Sequence, residues 1–143
     1  MSDVAILLEP FAEAVDDAAQ QILTKMDAVI KESAPEASVD SGHTGNRDFF
    51  LFSYRRYSSG VNPRIDPVVV GINCEVRNGD VVVIGDICGE ATGDPIYDVP
   101  SLRIPGPPSV GTLRQAVQAV ASQLCAGAPD TARALRDSSR ELD

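Results

Sequence analysis

Residues 67–90 read PVVVGINCEVRNGDVVVIGDICGE, two runs rich in β-branched residues joined by Asn78-Gly79. That dipeptide is the strongest short-range hairpin signal, because Gly79 takes positive φ without steric cost and Asn78 is among the few other residues that tolerate it. A two-residue loop sets the register: Arg77 faces Asp80, Val76 faces Val81, Cys74 faces Val83, Ile72 faces Gly85 and Val70 faces Ile87. Even positions of the first strand then share one face with odd positions of the second, and that face is apolar throughout. A slip of one residue would scramble it, so turn and pattern specify the same register. The other face carries Val69, Asn73, Glu75, Val82, Ile84, Asp86 and Cys88 and is mixed. It is predicted to be partly covered or half-exposed.

Upstream lies a further strand, DFFLFSYRRYS (48–58), in which Phe50, Phe52 and Tyr54 alternate with Phe49, Leu51 and Ser53. Before it, SAPEASVDSGHTGNR (33–47) is rich in Pro, Gly and short polar residues without periodicity, which predicts an exposed loop. A structureless connection of that length is mobile or functional. The main helix is expected from about Pro10 to Glu32, with Val4 to Leu8 as a kinked turn or packed extension. Phe11, Val15, Ala18, Ala19, Ile22, Leu23, Met26, Val29 and Ile30 recur at steps of three and four along one stripe.

Downstream, Pro95, Pro100 and Pro105 interrupt the strand fragments Ile96-Tyr97 and Leu102-Arg103-Ile104. Proline cannot donate to a ladder, so this segment is an irregular edge strand or an ordered loop. Ser109 caps a second helix whose stripe is Val110, Leu113, Val117, Val120 and Leu124, with Gly127 as its C-cap. Residues 128–143 are read as a short terminal helix and a weakly ordered tail. The expected fold is α+β, a single domain over 1–143. A three- to four-stranded antiparallel sheet would pack the long N-terminal and the C-terminal helix on one face.

Composition narrows the function classes. Of the 143 residues, 43% are hydrophobic and 23% charged, and 21 acidic against 12 basic residues leave a net charge of −9. That excess opposes nucleic-acid binding, which needs basic density along the phosphates, and it favours a basic protein partner. The three cysteines, Cys74, Cys88 and Cys125, are an odd set, and the first two point to opposite faces of the hairpin. This pattern fits a reducing, cytoplasmic setting. No signal peptide or membrane span is expected.

Candidate chemistry is sparse. Asp86, Glu90, Asp94 and Asp98 recur every four residues, but through a strand end and a glycine-punctuated turn, so the spacing does not stack them. They lack the pattern of a Ca²⁺ loop. His43 has no second histidine and no cysteine nearby, short of a zinc set. No metal or other cofactor is expected. Walker, nucleotide-binding and serine-hydrolase motifs are absent from the chain.

The favoured function is therefore a non-catalytic, acidic protein-binding domain of the adaptor, chaperone-like or inhibitor/immunity type. Its contact surface would be the outer sheet face, with Val69, Val82, Ile84, Leu51 and Glu75. Its partner would be a second copy, giving a homodimer, or a basic protein. The alternative is a small carboxylate-based hydrolase or lyase, in which His43 would reach over Asp86, Glu90 or Asp94.

Overall fold

The computed structural model describes residues 7–47 and 50–143, without side-chain detail at 44–47. Val4 to Ile6, Asp48 and Phe49 of the stretches above lie outside the described residues. Helix α1 (Ala12–Ser33) follows a 3-10 turn at Glu9–Phe11. Strands β1 (Ser38–Arg47), β2 (Phe50–Ser58), β3 (Val68–Arg77) and β4 (Asp80–Gly89) come next. Short β5 (Pro95–Tyr97) and β6 (Leu102–Ile104) lead to α2 (Val110–Cys125) and α3 (Ala128–Ala134).

The strands form one antiparallel sheet in the order β1-β2-β3-β4-β5, with β6 also on β4. The β3–β4 register is the one that the Asn-Gly turn dictates, from Val68 opposite Gly89 to Arg77 opposite Asp80. Asn78 and Gly79 have φ of 51° and 79°, the left-handed pair that a two-residue hairpin needs. The α+β class and the helices on one face agree with expectation, but the sheet has six strands rather than three or four.

The additional long strand is β1. Its ten residues occupy most of the stretch expected as an exposed loop, and they pair with β2 from Ser38–Ser58 to Arg47–Phe50 across a bulge. The tail is likewise tied down: Ile65 bridges Glu141, and the Leu142 N–H donates to the Arg64 carbonyl at 2.7 Å. Ala126, not Gly127, is the C-cap of α2, and Gly127 stands at the N-cap of α3.

The core lies between the sheet and the helices. Leu51 and Tyr57 of β2, Val70, Ile72 and Cys74 of β3 and Val81, Val83 and Ile87 of β4 meet the buried stripes of α1 and α2. Opposite Ile72, Gly85 leaves room for Val120 and Leu124 of α2; a β-carbon there would lie 2.6 Å from Val120.

The α1 side is held differently. Arg55 is buried on the helix-covered face, where its Nε meets both oxygens of Asp27 at 3.2 Å and its Nη2 donates to Thr24 Oγ1 at 2.9 Å. A further guanidinium N–H donates to Gln20 Oε1. The Tyr57 hydroxyl donates to Asp27 Oδ1 at 2.5 Å. Burial, and then that hydrogen bond to a carboxylate, push the Tyr57 phenol well above its ordinary range.

Every charged atom of this cluster has a partner, so removing one member strands the others in a poorly hydrated site. Asp27→Ala should cost about 3 kcal/mol in urea unfolding, the lower end of the range for a broken buried pair because Asp27 keeps some solvent contact. The double variant Asp27→Leu with Arg55→Met should recover more than half of that loss. A loss equal to the sum of the single changes would show that the pair does not act as a unit.

Candidate functional site

All three helices lie on one side of the sheet, and among the described residues no element covers the other side. That open face is built by alternation along β2, β3 and β4. One row runs Phe52, Asn73, Ile84; the next runs Gly42, Tyr54, Gly71, Asp86. Phe50, Glu75, Val82 and Arg103 form a third row, and Arg56, Val69 and Cys88 a fourth.

Aromatic rings dominate it. Phe50 and Phe52 have ring centroids 6.4 Å apart, Phe52 and Tyr54 5.7 Å apart, both with interplanar angles of 18°. The rings lean sideways over glycines. A β-carbon on Gly71 would lie 2.5 Å from Phe52 Cε1, and one on Gly42 would lie 3.0 Å from the Tyr54 hydroxyl oxygen. The two glycines let Phe52 lie toward β3 and Tyr54 toward β1, covering backbone that no other layer shields. Phe50, Phe52, Tyr54, Val69 and Ile84 are all half-buried.

One expected contact residue falls elsewhere, and two others are less exposed than the rest of the face. Leu51 is on the opposite face, 2% exposed in the core, because its register partner is Cys74 rather than an outer residue. Val82 does lie on the open face but is only 6% exposed, flanked in register by Glu75 and by Arg103 of β6. Glu75 is half-buried and bonded to Arg77, with Nε–Oε2 at 2.9 Å. Arg77 and Asp80 face each other in register as expected, but the Arg77 guanidinium pairs with Glu75 and Asp80 pairs with Arg103 Nη1 at 2.8 Å. That bond, followed by one from the Gly106 N–H, holds the Asp80 carboxyl below its ordinary value. Val69 and Ile84 remain in the surface as expected.

The proposed acid–base set does not assemble. His43 is opposite Ser53, which turns it to the helix-covered side, where Nδ1 is 3.5 Å from Asp16 Oδ2. There it lines a shallow groove with Glu13, Asp16, Asp17 and Gln20 of α1. Asp86 is on the open face, across the sheet from it. Glu90 holds Arg56 in a two-pronged contact that includes Nη2–Oε1 at 3.1 Å. Asp94 is exposed in the β4–β5 turn, where its N–H donates to Thr92 Oγ1 at 3.2 Å. Among the described residues no three His, Cys, Asp or Glu side chains converge as a metal site would require. The thiols are raised rather than activated: burial, then the charge of Asp86, push Cys88 up, and burial alone pushes Cys74 to about 12.

The charge balance of the open face follows from these pairs. Arg56, Arg77 and Arg103 are matched by Glu90, Glu75 and Asp80. Asp40 lies 4.0 Å from Arg56. Asp86 is exposed, and among the described residues it has no cationic partner. Asn73, beside it on β3, has an enclosed Oδ1 with no donor.

One group that the sequence did not single out fixes the acidic turn. Asp66 is 1% exposed and accepts from the Ala91 N–H at 2.8 Å, the Thr92 N–H at 3.2 Å and Thr92 Oγ1 at 2.9 Å. Arg140 Nη2 lies 3.8 Å away. A β-carbon on Gly89 would sit 2.4 Å from Asp66 Oδ2, so the glycine gives the carboxylate access. No family model matches the chain, and no match was found among curated proteins or solved structures.

Burial disfavours the charged form of Asp66, but the bonds from Ala91 and Thr92 and the charge of Arg140 outweigh it and hold the carboxyl below its ordinary value. A lowered pKa contributes stability that is present above the unfolded value, about 3.9, and fades as pH falls through the folded one. Asp66→Asn should therefore be less stable than wild type at pH 7, with the gap narrowing below about pH 4. Asp80 and Asp137 shift the same way, so some acid sensitivity should persist. Urea midpoints measured from pH 2.5 to 7 test this; a gap that does not change with pH would refute the linkage.

Proposed function

We propose that this protein is a non-catalytic binding domain whose open sheet face takes a basic segment of another polypeptide. The observation that carries the proposal is the aromatic ribbon Phe50–Phe52–Tyr54, continued by Ile84 and Val69 on a face without a covering layer. Contiguous apolar surface of this kind is uncommon on a monomer unless it binds something. Aromatic residues are also the ones that dominate binding energy at protein interfaces.

Charge selects the occupant. Among the described side chains of the face, Arg56, Arg77 and Arg103 are matched by acids and Asp86 has no cationic partner, and the whole chain carries −9. A second copy stacked on this face would bring like charge to like charge, whereas a basic partner brings the missing sign. An adaptor, chaperone-like or inhibitor role in the cytoplasm would use such a surface to mask a cationic protein.

Neighbouring residues separate contact from folding. Ile84 is half-buried on the open face and Val83 is wholly buried on the helix-covered one. Ile84→Asp should leave the circular dichroism spectrum and urea midpoint close to wild type. Val83→Asp should unfold the domain, since an unpaired charge in the core costs several kcal/mol. In affinity capture, a partner held by wild type and by a helix-side control such as Gln21→Asp, but lost by Ile84→Asp and in high salt, would support the proposal. Retention by Ile84→Asp would overturn it. Concentration-dependent self-association in sedimentation equilibrium, abolished by Ile84→Asp, would assign the face to a second copy instead.

A further inference from the structure

The sheet ends at β1, and the inference drawn there rests on the binding proposal just made for the sign of the partner's charge. We infer that β1 is a docking edge, along which an extended segment of a basic partner, alternating basic and apolar residues, pairs as an added strand. Strand β1 stands at the end of the strand order, and among the described residues β2 is its sole pairing partner. Alternate N–H and C=O groups of such a strand point away from the sheet. Among the described residues the one side chain bonded to the β1 backbone is Gln20, whose Nε2 donates to the Gly42 carbonyl at 3.2 Å. Sheet edges are ordinarily blunted by lysine, proline or a bulge. Residues 38–43 hold no lysine or proline, and the bulge lies beyond them, between Thr44 and Arg47.

The two sides of this edge differ, and the difference sets the alternation. Val39, Ser41 and His43 face the helix side, since their register partners are Tyr57, Arg55 and Ser53. On that side the flank of α1 presents Glu13, Asp16 and Asp17, which line one groove with His43. Gln20 and Gln21 donate to Asp16 and Asp17 but leave their charge in place. Among the described residues the one basic group within ion-pair distance of these acids is His43, 3.5 Å from Asp16. Arg114 lines the neighbouring depression with Glu13 and Asp17. On the open side the Tyr54 ring lies over Gly42, so the aromatic ribbon reaches the edge. A strand laid beside β1 sends successive side chains to opposite faces. One set falls beside the acidic flank, where lysine or arginine suits, and the other beside Tyr54, where an apolar residue suits. Main-chain bonds supply affinity in such strand addition, and the alternate side chains supply specificity. A second copy fits poorly, because it would bring Asp40 and the acidic flank of α1 toward their own like.

The test titrates acetyl-Lys-Val-Lys-Val-Lys-Val-amide into ¹⁵N-labelled full chain at low ionic strength. Shifts should concentrate on the amides of residues 39–43, with a dissociation constant on the order of millimolar, and exchange of the outward β1 amides should slow. The glutamate counterpart should not bind. Two further peptides, N-methylated at the three lysines or at the three valines, each remove the donors from one edge of the added strand. One of them should bind at least about tenfold more weakly and the other about as well as the parent. The double variant Glu13→Gln with Asp17→Asn, at two exposed positions, should weaken the parent peptide about fivefold. Ile84→Asp, on β4, should bind it as wild type does, so the edge is tested apart from the open face. Absent shifts, shifts confined to other regions, equal effects of the two methylation patterns, or undiminished binding by the double variant would overturn the inference. Self-association that slows exchange of the same amides without peptide would give the edge to a second copy and overturn it too. The open-face proposal fails separately, when Ile84→Asp retains the captured partner.

Discussion

The two left-handed residues at the tip of the β3–β4 hairpin are the constraint on which the rest of the molecule depends. With Asn78 and Gly79 at positive φ, the turn has no spare residue, and the parity of both long strands is fixed. Val70, Ile72 and Cys74 must share a side with Val81, Val83 and Ile87. The other strands are then added at its two edges: β2 and β1 beyond β3, β5 and β6 beyond β4. Both long helices come to the same side, where the hairpin presents a wholly apolar face to be buried. The open face is the remainder of this choice, and its residues are set by the same parity.

The two helices are seated by opposite means. Helix α2 meets an apolar strand with a gap at Gly85, and its position follows from shape, since Val120 and Leu124 fill that gap. Helix α1 meets Ser53, Arg55 and Tyr57, where shape alone would leave polar groups unpaired. There Asp27, Gln20 and Thr24 satisfy the guanidinium. Apolar packing stabilises through contact area and is tolerant of small shifts, whereas a network of fixed donors and acceptors is satisfied in one arrangement. Shape sets the α2 side of the core and hydrogen bonding the rotation of α1.

This division explains what could be read from the sequence. Hairpin register, both helices and their shared face were legible because each rests on a local pattern: a turn dipeptide, a helical stripe, an N-cap at Ser109. Strand β1 was not, because SVDSGHTGNR has neither alternation nor β-branched density. It forms by backbone pairing to β2, and its helix-facing side meets α1 through polar contacts such as Gln20 Nε2 to the Gly42 carbonyl at 3.2 Å. The phase of β2 was obscured because Phe49, Phe50, Leu51 and Phe52 are apolar on both sides. Leu51 was therefore assigned outward on a pattern that could not decide. The glycines opposite Tyr54 held the missing signal, since an aromatic facing glycine on both neighbouring strands marks a ring lying flat on the sheet. Val82 lies on the expected face but is only 6% exposed, and one of its register partners, Arg103, is on a strand that the prolines around it conceal.

The open face also shows how one physical property can serve two ends. A sheet with an uncovered aromatic ribbon is a standing invitation to stack with its own copies, and an exposed edge invites pairing. The β5–β6 edge is short and interrupted by proline. The β1 edge is long, and what interrupts it is a bulge between Thr44 and Arg47. Neither device shields the face. What remains is charge: each copy carries −9 and adds an unmatched Asp86 to the ribbon. Between copies, the net charge of −9 on each opposes approach. Toward a cation it is attractive at the same place and over the same range, about 8–10 Å at ordinary ionic strength. The acidity that opposes the stacking of like-charged copies is the same acidity that, under the proposed role, would select what the surface binds.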